Sequence, residues 1–372
     1  MKKKLKKKNC LIVFIVFLII LLGLINPINL YYRIELQNNN YSKESSKLIL
    51  KYGIKDYLLD YDYNEFINLN ISDSNFNTNN ITIYRDINNN ENNNNSVSII
   101  NNLIDKGYNI TDINNIIRFD NSSINNLLEL DKIDDISSYL EINYSDLNNI
   151  NRYTNYKTSN GSDYEKTVLN VEINLDQEPY DFYYTTSLFS TSMIVNKHYK
   201  LDSSFVPNDL ETVKSEYSCD TTEQLNSEAL NSFYSMADKL NSDTGLHIYI
   251  NSGYRSYKYQ KELYDYYLYN YGKSYVKNYV AYPGYSEHQT GLAIDIRAYS
   301  NATFSGTKEE SWMNDNAYKY GYILRYTKSN KTYTLYNAEA WHYRYVGVEI
   351  ATYIHDNNIS FEEYYVKFLK NK

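Results

Sequence analysis

The sequence predicts an α+β fold, and three observations predict it. From residue 166 onward, amphipathic helical stretches and short apolar stretches mix without strict alternation. Residues 31–165 hold only short helical islands in a polar, Asn-rich background. An apolar run near the N-terminus stands apart from both. A chain of 372 residues accommodates such a segment, one sizeable domain and a region between them. The expected boundaries are 1–30, 31–165 and 166–372.

In the first segment, Lys2–Lys8 carries six lysines and Leu11–Ile25 is an apolar run broken only by Gly23. About 20 apolar residues span a bilayer, so the run is short by itself and fits with its flank. A cleaved signal peptide has the same charge pattern, and would leave the rest secreted. No small-x-small cleavage site follows. The expectation is therefore a single-pass N-terminal membrane anchor over 1–30, lysines inside and the remainder extracytoplasmic. Cys10 precedes the apolar run instead of ending it, so it is not a lipid-attachment cysteine.

Composition narrows the function classes. The net charge is -8 and the pI about 5.3, with no basic stripe beyond the first residues, which excludes a nucleic-acid partner. No protein partner is predicted. The 45 Tyr and the abundance of Asn, Lys and Ile fit an AT-rich genome, so Asn-rich stretches signal disorder less than usual. Cys10 and Cys219 support neither a disulfide nor a thiolate zinc site. Any metal must be held by carboxylates and by some of the 5 His.

Taken in order, Asn88–Asn95 reads as a low-complexity loop. Thr111-Asp112-Ile113, Asp134-Asp135-Ile136 and Ser145-Asp146-Leu147 echo one another as capped starts of short helices, which make a spacer. Thr167–Ile173 alternates as a strand would. Met193–Val195 is apolar. Leu210–Leu240 contains a helix with Leu225, Ala229, Leu230, Phe233, Met236 and Leu240 on one face. Leu246–Ile250 is a strand, Tyr257–Tyr271 a Tyr-rich helix, Gly291–Arg297 a strand, Ser311–Tyr320 a helix and Tyr322–Tyr326 a strand. Gly347–Lys370 closes with a helical pattern.

Three pieces carry chemistry. In Ser286-Glu287-His288-Gln289-Thr290-Gly291-Leu292-Ala293-Ile294-Asp295-Ile296, Asp295 sits between isoleucines in what reads as a buried strand. A buried carboxylate needs a partner, Arg297 or a cation. A turn at Gly291 lets His288 and Asp295 point at one spot; the plainer alternative is an Arg-paired Asp and a loop His. Glu339-Ala340-Trp341-His342 places a carboxylate and an imidazole three residues apart. A catalytic zinc keeps three protein ligands and an open position, with a non-ligand carboxylate as base. His288, Asp295 and His342 match the former and Glu339 the latter. In Ser252-Gly253-Tyr254-Arg255-Ser256, Gly253 permits a tight turn and Arg255 presents a guanidinium fork. His198, His247 and His355 read as non-ligands.

In this chain order the three pieces resemble the D-alanyl-D-alanine carboxypeptidases of the VanY type. Ser-x-His-x-x-Gly-x-Ala-x-Asp is matched by Ser286, His288, Gly291, Ala293 and Asp295, Glu-x-Trp-His by Glu339, Trp341 and His342, and Ser-Gly-Tyr-Arg-Ser by Ser252–Ser256. Trp312, Asn316-Ala317, Tyr320–Tyr326, Val195-Asn196-Lys197 and Pro207–Leu210 extend the likeness over about 195–350; Ala340 departs from it where Pro is common. The resemblance implies a small antiparallel sheet flanked by helices. It implies Zn2+ on His288, Asp295 and His342, and Glu339 as base. It implies Arg255 on the substrate carbonyl or terminal carboxylate, with Gln260 and Ser286 against the peptide. The substrate would be a peptidoglycan stem peptide losing its C-terminal D-alanine. The rivals are an L,D-carboxypeptidase acting on tetrapeptide stems and a non-catalytic wall-binding protein of the same fold, which has no need of Glu339.

Overall fold

A computed structural model describes residues 26–88, 96–181, 183–185, 189–220, 222–299 and 303–370. The chain forms two compact units, 1–151 and 152–372.

Short helices build the first unit. Ser42, Asn64, Ser96 and Asp120 each cap a helix by accepting a backbone N–H, which satisfies donors the first turn leaves unpaired. Seven residues after each cap stand Ile49, Ile71, Leu103 and Leu127, all buried. Side-chain amides knit neighbouring turns: Asn101 Nδ2 donates to the Asn75 carbonyl at 2.9 Å, and Asn68 Oδ1 accepts from the Ser42 N–H at 2.8 Å. The region expected as a spacer thus has its own core, and much of its asparagine is spent on ordered caps and bridges. The expected helix starts are displaced slightly. Asn109 caps where Thr111 was expected, with Asp112 completing a capping box. Asn89–Asn95 lies outside the described residues.

One expectation is overturned. Among the described residues no helix is long and apolar enough to cross a membrane, so the single-pass anchor over 1–30 and the localisation built on it are not supported. Residues 1–25 lie outside the described residues. The first described helix, Pro27–Asn38, is capped by Asn26 and carries Arg33 and Glu35.

The second unit opens with a further correction. Thr167–Ile173 is not a strand; Tyr164–Glu172 is a helix capped by Asp163. The helix buries every residue from Thr167 to Glu172, so apolar alternation over so short a run could not select the period. Two minor pairs follow: β1 (Tyr183–Tyr184) with β2 (Tyr199–Lys200), parallel, and β3 (Leu210–Thr212) with β4 (Gln224–Asn226), antiparallel. The main sheet contains β5 (Ile248–Ser252), β6 (Ala293–Ala298), β7 (Tyr322–Leu324) and β8 (His342–Tyr345). Its order is β5-β6-β8-β7 and every pairing is antiparallel, so β6 and β8 are central.

The helix Ser227–Thr244 covers this sheet. Asn226 caps it and Gly245, at φ 73°, ends it. Its Leu230, Phe233, Met236 and Leu240 pack with Ile250, Ile294 and Ile296 in one core. Leu225, Ala229 and the rest of the predicted face are buried. The helix at Tyr257 runs on to Tyr279, past a kink at Gly272. The C-terminal pattern resolves into two helices, Val348–Asn357 and Phe361–Phe368, separated by Asn358 at φ 49° and the capping box of Ser360.

Candidate metal centre

Antiparallel pairing decides what meets Asp295. On β6 it lies opposite His342 of β8 on one side and Ser252 of β5 on the other. His288 arrives from the short 3-10 turn Glu287–Thr290, which Gly291 closes at φ 69°. A side chain there would be strained, and its Cβ would lie 2.8 Å from Leu210 Cδ2. His342 Nδ1 stands 3.1 Å from Asp295 Oδ1, and His288 Nε2 stands 3.4 Å from Asp295 Oδ2. One ligand atom from each of the three lies within 4.8 Å of the others, so the trio could hold a metal ion.

Neighbours fix both imidazoles. His288 Nδ1 pairs with the Gly253 carbonyl at 2.7 Å, which leaves Nε2 for the centre. Gly253 is glycine because a Cβ would run into the Gln224 carbonyl. His342 Nε2 faces Glu287 Oε2 at 3.3 Å, which leaves Nδ1 for the centre. Outer partners of this kind orient metal-binding histidines.

Glu287 is itself fully buried and clamped. Its Oε1 accepts from Arg325 Nε at 2.8 Å and Arg344 Nη1 at 3.2 Å. Arg325 goes on to Glu362, and Arg344 donates to the Met193 carbonyl at 2.8 Å. Burial opposes the Glu287 charge, but the two guanidinium groups overcome it and hold the carboxyl below its usual range. The sequence marks this cluster only faintly. Glu287 adjoins His288, and Arg344 shares a strand face with His342 two residues away.

All seven expected site residues line one cleft of about 230 Å³: Arg255, Gln260, Ser286, His288, Asp295, Glu339 and His342. A larger cavity of about 310 Å³, beside β7 and the Val348–Asn357 helix, contains none of them. Arg255, not Arg297, is the partner of Asp295: Arg255 Nη2 donates to Asp295 Oδ2, while Arg297 is exposed. Arg255 Nε also reaches Ser252 Oγ at 3.0 Å. Gln260 Nε2 donates to the Ala281 carbonyl at 2.8 Å, and its buried Oε1 has no partner. Ser286 is buried in the wall. His198, His247 and His355 stay outside the trio.

Charge in the cleft is strongly sorted. Burial and then Arg255 push His288 down to about 4, so it stays neutral. Burial works against the Asp295 charge, yet His288 and Arg255 hold that carboxyl well below the usual range. Burial also opposes charge on His342, but hydrogen bonds to Asp295 and Glu287 raise it to about 9. Glu339, 6% exposed, is raised by burial to about 7. Lys197, absent from the expected site, is buried nearby. It donates to the Leu335 carbonyl at 2.7 Å, its Nζ lies 4.0 Å from the Tyr336 ring centre, and burial lowers it to about 8.

Two neutral-capable imidazole nitrogens, one carboxylate and a second carboxylate in the same cleft match in kind the donors and base that a hydrolytic metal centre requires. The comparisons with known proteins agree with this class. Residues 222–348 match the VanY D-alanyl-D-alanine carboxypeptidase family model. The carboxypeptidase-like protein YodJ of Bacillus subtilis is 41% identical over 185 residues, 48% of this chain and 67% of that protein. A D-alanyl-D-alanine carboxypeptidase of Enterococcus faecalis is 37% identical over 129 residues, 32% of this chain and 48% of that protein. A solved variant of the vancomycin-resistance D,D-pentapeptidase VanY in complex with Zn(II) is 30% identical, covering 47% of this chain and 98% of that one, with a TM-score of 0.42. This chain thus spans about two thirds of the first relative and about half of the second. The chain belongs to the VanY D-alanyl-D-alanine carboxypeptidase family.

Proposed function

We propose that this protein is a zinc-dependent carboxypeptidase that removes the C-terminal D-alanine from peptidoglycan stem peptides. The observation that carries the reading is the convergence of His288, Asp295 and His342, each already held by a neighbour, in one cleft with Glu339. The donors suit the metal: His288 Nε2, an Asp295 oxygen and His342 Nδ1 would hold it as three protein ligands, the number a catalytic zinc takes. A zinc ion held there would supply Lewis-acid chemistry, polarising a carbonyl and acidifying water.

The remaining chemistry belongs to the side chains. Glu339 takes a proton from the attacking water and returns it to the amine nitrogen that leaves. Burial raises its carboxyl in the metal-free cleft, the direction that favours holding a proton. Arg255, steadied by Ser252 and Asp295, directs its free N–H groups at the developing oxyanion or the terminal carboxylate. The unpartnered Gln260 Oε1 accepts a peptide N–H, and the Ser286 hydroxyl lies on the same wall. The substrate class follows from the family, whose Enterococcus faecalis relative carries the D-alanyl-D-alanine name.

The test gives zinc-loaded full chain a stem pentapeptide and a stem tetrapeptide separately and follows free D-alanine by mass spectrometry. Release from the pentapeptide, abolished by chelation and restored by zinc, is the expected result. Release from the tetrapeptide alone would replace it with an L,D-carboxypeptidase. No release from either would leave a wall-binding protein.

A further inference from the structure

The helix Tyr257–Tyr279 carries tyrosines at 267, 271, 275 and 279. The chain has 45 Tyr, so one more in a helix tells little. Four at a constant spacing of four is different: the spacing puts Tyr267 with Tyr271, and Tyr275 with Tyr279, on one face of the helical stretch on either side of Gly272. Ring centres are 5.6 Å apart from Tyr267 to Tyr271, 4.9 Å from Tyr271 to Tyr275 and 5.1 Å from Tyr275 to Tyr279.

The kink turns this face into a compact platform. Gly272 sits at φ 81° and ψ 174°, outside helical geometry and in a region that side chains resist. Residues eight apart in a straight helix are separated by about 12 Å along its axis. Here the rings of Tyr267 and Tyr275 lie 5.6 Å apart and within 19° of parallel. Tyr267, Tyr275 and Tyr279 line the cleft that holds the histidine–aspartate trio. Tyr271, 58% exposed, carries the stack past the cleft wall toward solvent.

The hydrolytic chemistry makes no use of this surface. It offers uncharged ring faces and edges with phenolic hydroxyls at the tips. That combination suits a pyranose, whose C–H face packs on an aromatic ring while its hydroxyl and amide edge hydrogen-bonds. An anionic peptide side chain would find no counter-charge among the four. We propose that the tyrosine ladder is a subsite for the amino sugar that bears the stem peptide. The inference rests on the stem-peptide reading and adds the glycan to it. Tyr267, Tyr275 and Tyr279 line the same cleft as the trio, so a stem peptide whose scissile end sits at the trio, with four upstream residues extending on the order of 13 Å, can pass along them.

Two measurements on the zinc-loaded full chain test this. The first titrates the peptide-free N-acetylglucosamine–N-acetylmuramic acid disaccharide by saturation-transfer NMR. The second compares kcat/KM for a stem pentapeptide free and attached to that disaccharide. The expected results are disaccharide binding that Tyr271→Ala abolishes, and about a tenfold preference for the sugar-linked substrate that the variant reduces toward unity. Absence of disaccharide binding, or a preference that Tyr271→Ala leaves intact, overturns the ladder assignment while turnover of the free peptide upholds the carboxypeptidase. Disaccharide binding lost in the variant, with neither peptide cleaved, upholds the sugar subsite and removes the carboxypeptidase reading instead.

Discussion

Replacing Glu287 by Gln perturbs the support of the centre without changing its volume. The carboxylate is fully buried between Arg325 and Arg344, both 1% exposed or less. Glutamine keeps an oxygen for one guanidinium but removes the negative charge both groups share. Arg325 retains Glu362, whereas Arg344 is left with backbone carbonyls alone. Breaking a buried charge pair costs about 3–5 kcal/mol, and the retained oxygen places this variant at the lower end. With ~2–4 °C lost per kcal/mol in a unit of this size, Tm should fall by roughly 6–12 °C. The second consequence is local. The new amide places N–H donors opposite His342 Nε2, which must carry a proton when Nδ1 faces the metal. Loss of such an outer partner weakens metal binding about 10–100-fold. Calorimetric melting of metal-free protein measures the first effect, and zinc titration against a competing chelator the second. A Tm within 2 °C of wild type, together with unchanged zinc affinity, would refute this account of Glu287.

Three further outcomes follow from particular contacts. Glu339→Gln should lower kcat by about 10²–10⁴-fold while zinc affinity stays within a few-fold, since the residue is assigned to the proton and not the metal; full activity in a zinc-replete assay would end that assignment. Gly253→Ala should destabilise the second unit by about 2 kcal/mol, read as a lower denaturation midpoint, because its Cβ meets the Gln224 carbonyl, and relieving that contact shifts residue 253, whose own carbonyl holds His288. His198 is 1% exposed with neither ring nitrogen partnered, and burial lowers its pKa despite Glu362, Asp176 and Asp181 in the surroundings. The unfolded chain therefore binds a proton more readily below about pH 6.5, so the His198 contribution to stability is complete above that pH and lost as pH falls. His198→Phe should flatten this acid limb of the stability curve, and an unchanged limb would show that other groups produce it.

The parts of the centre that were legible beforehand lie in three short motifs. His288 and Asp295 are seven residues apart across one turn, and Glu339 and His342 are three apart at the start of one strand. Within such spans, sequence spacing determines which side chains can meet. The Ser227–Thr244 helix was readable for a similar reason, since five turns of helix repeat the apolar period often enough to select it. Shorter stretches lacked that repetition. Thr167–Ile173 alternates like a strand and folds as a helix, because its cap at Asp163 and burial on several sides outweigh an ambiguous pattern.

Other features depended on separations that no local pattern encodes. Glu287 meets Arg325 and Arg344 across 38 and 57 residues, and by composition alone all three would be placed on the surface. Arg255 took the place expected for Arg297 because strand pairing put Ser252 beside Asp295. The need for glycine at 253 came from the Gln224 backbone, which approaches from another strand. The sequence by itself therefore determined the candidate ligands, the candidate base and the α+β class, all of which rest on local spacing and side-chain chemistry. Tertiary structure alone decided which charges neutralise one another, which nitrogen of each histidine faces the centre and which tyrosines line the cleft, because burial and long-range pairing set those outcomes.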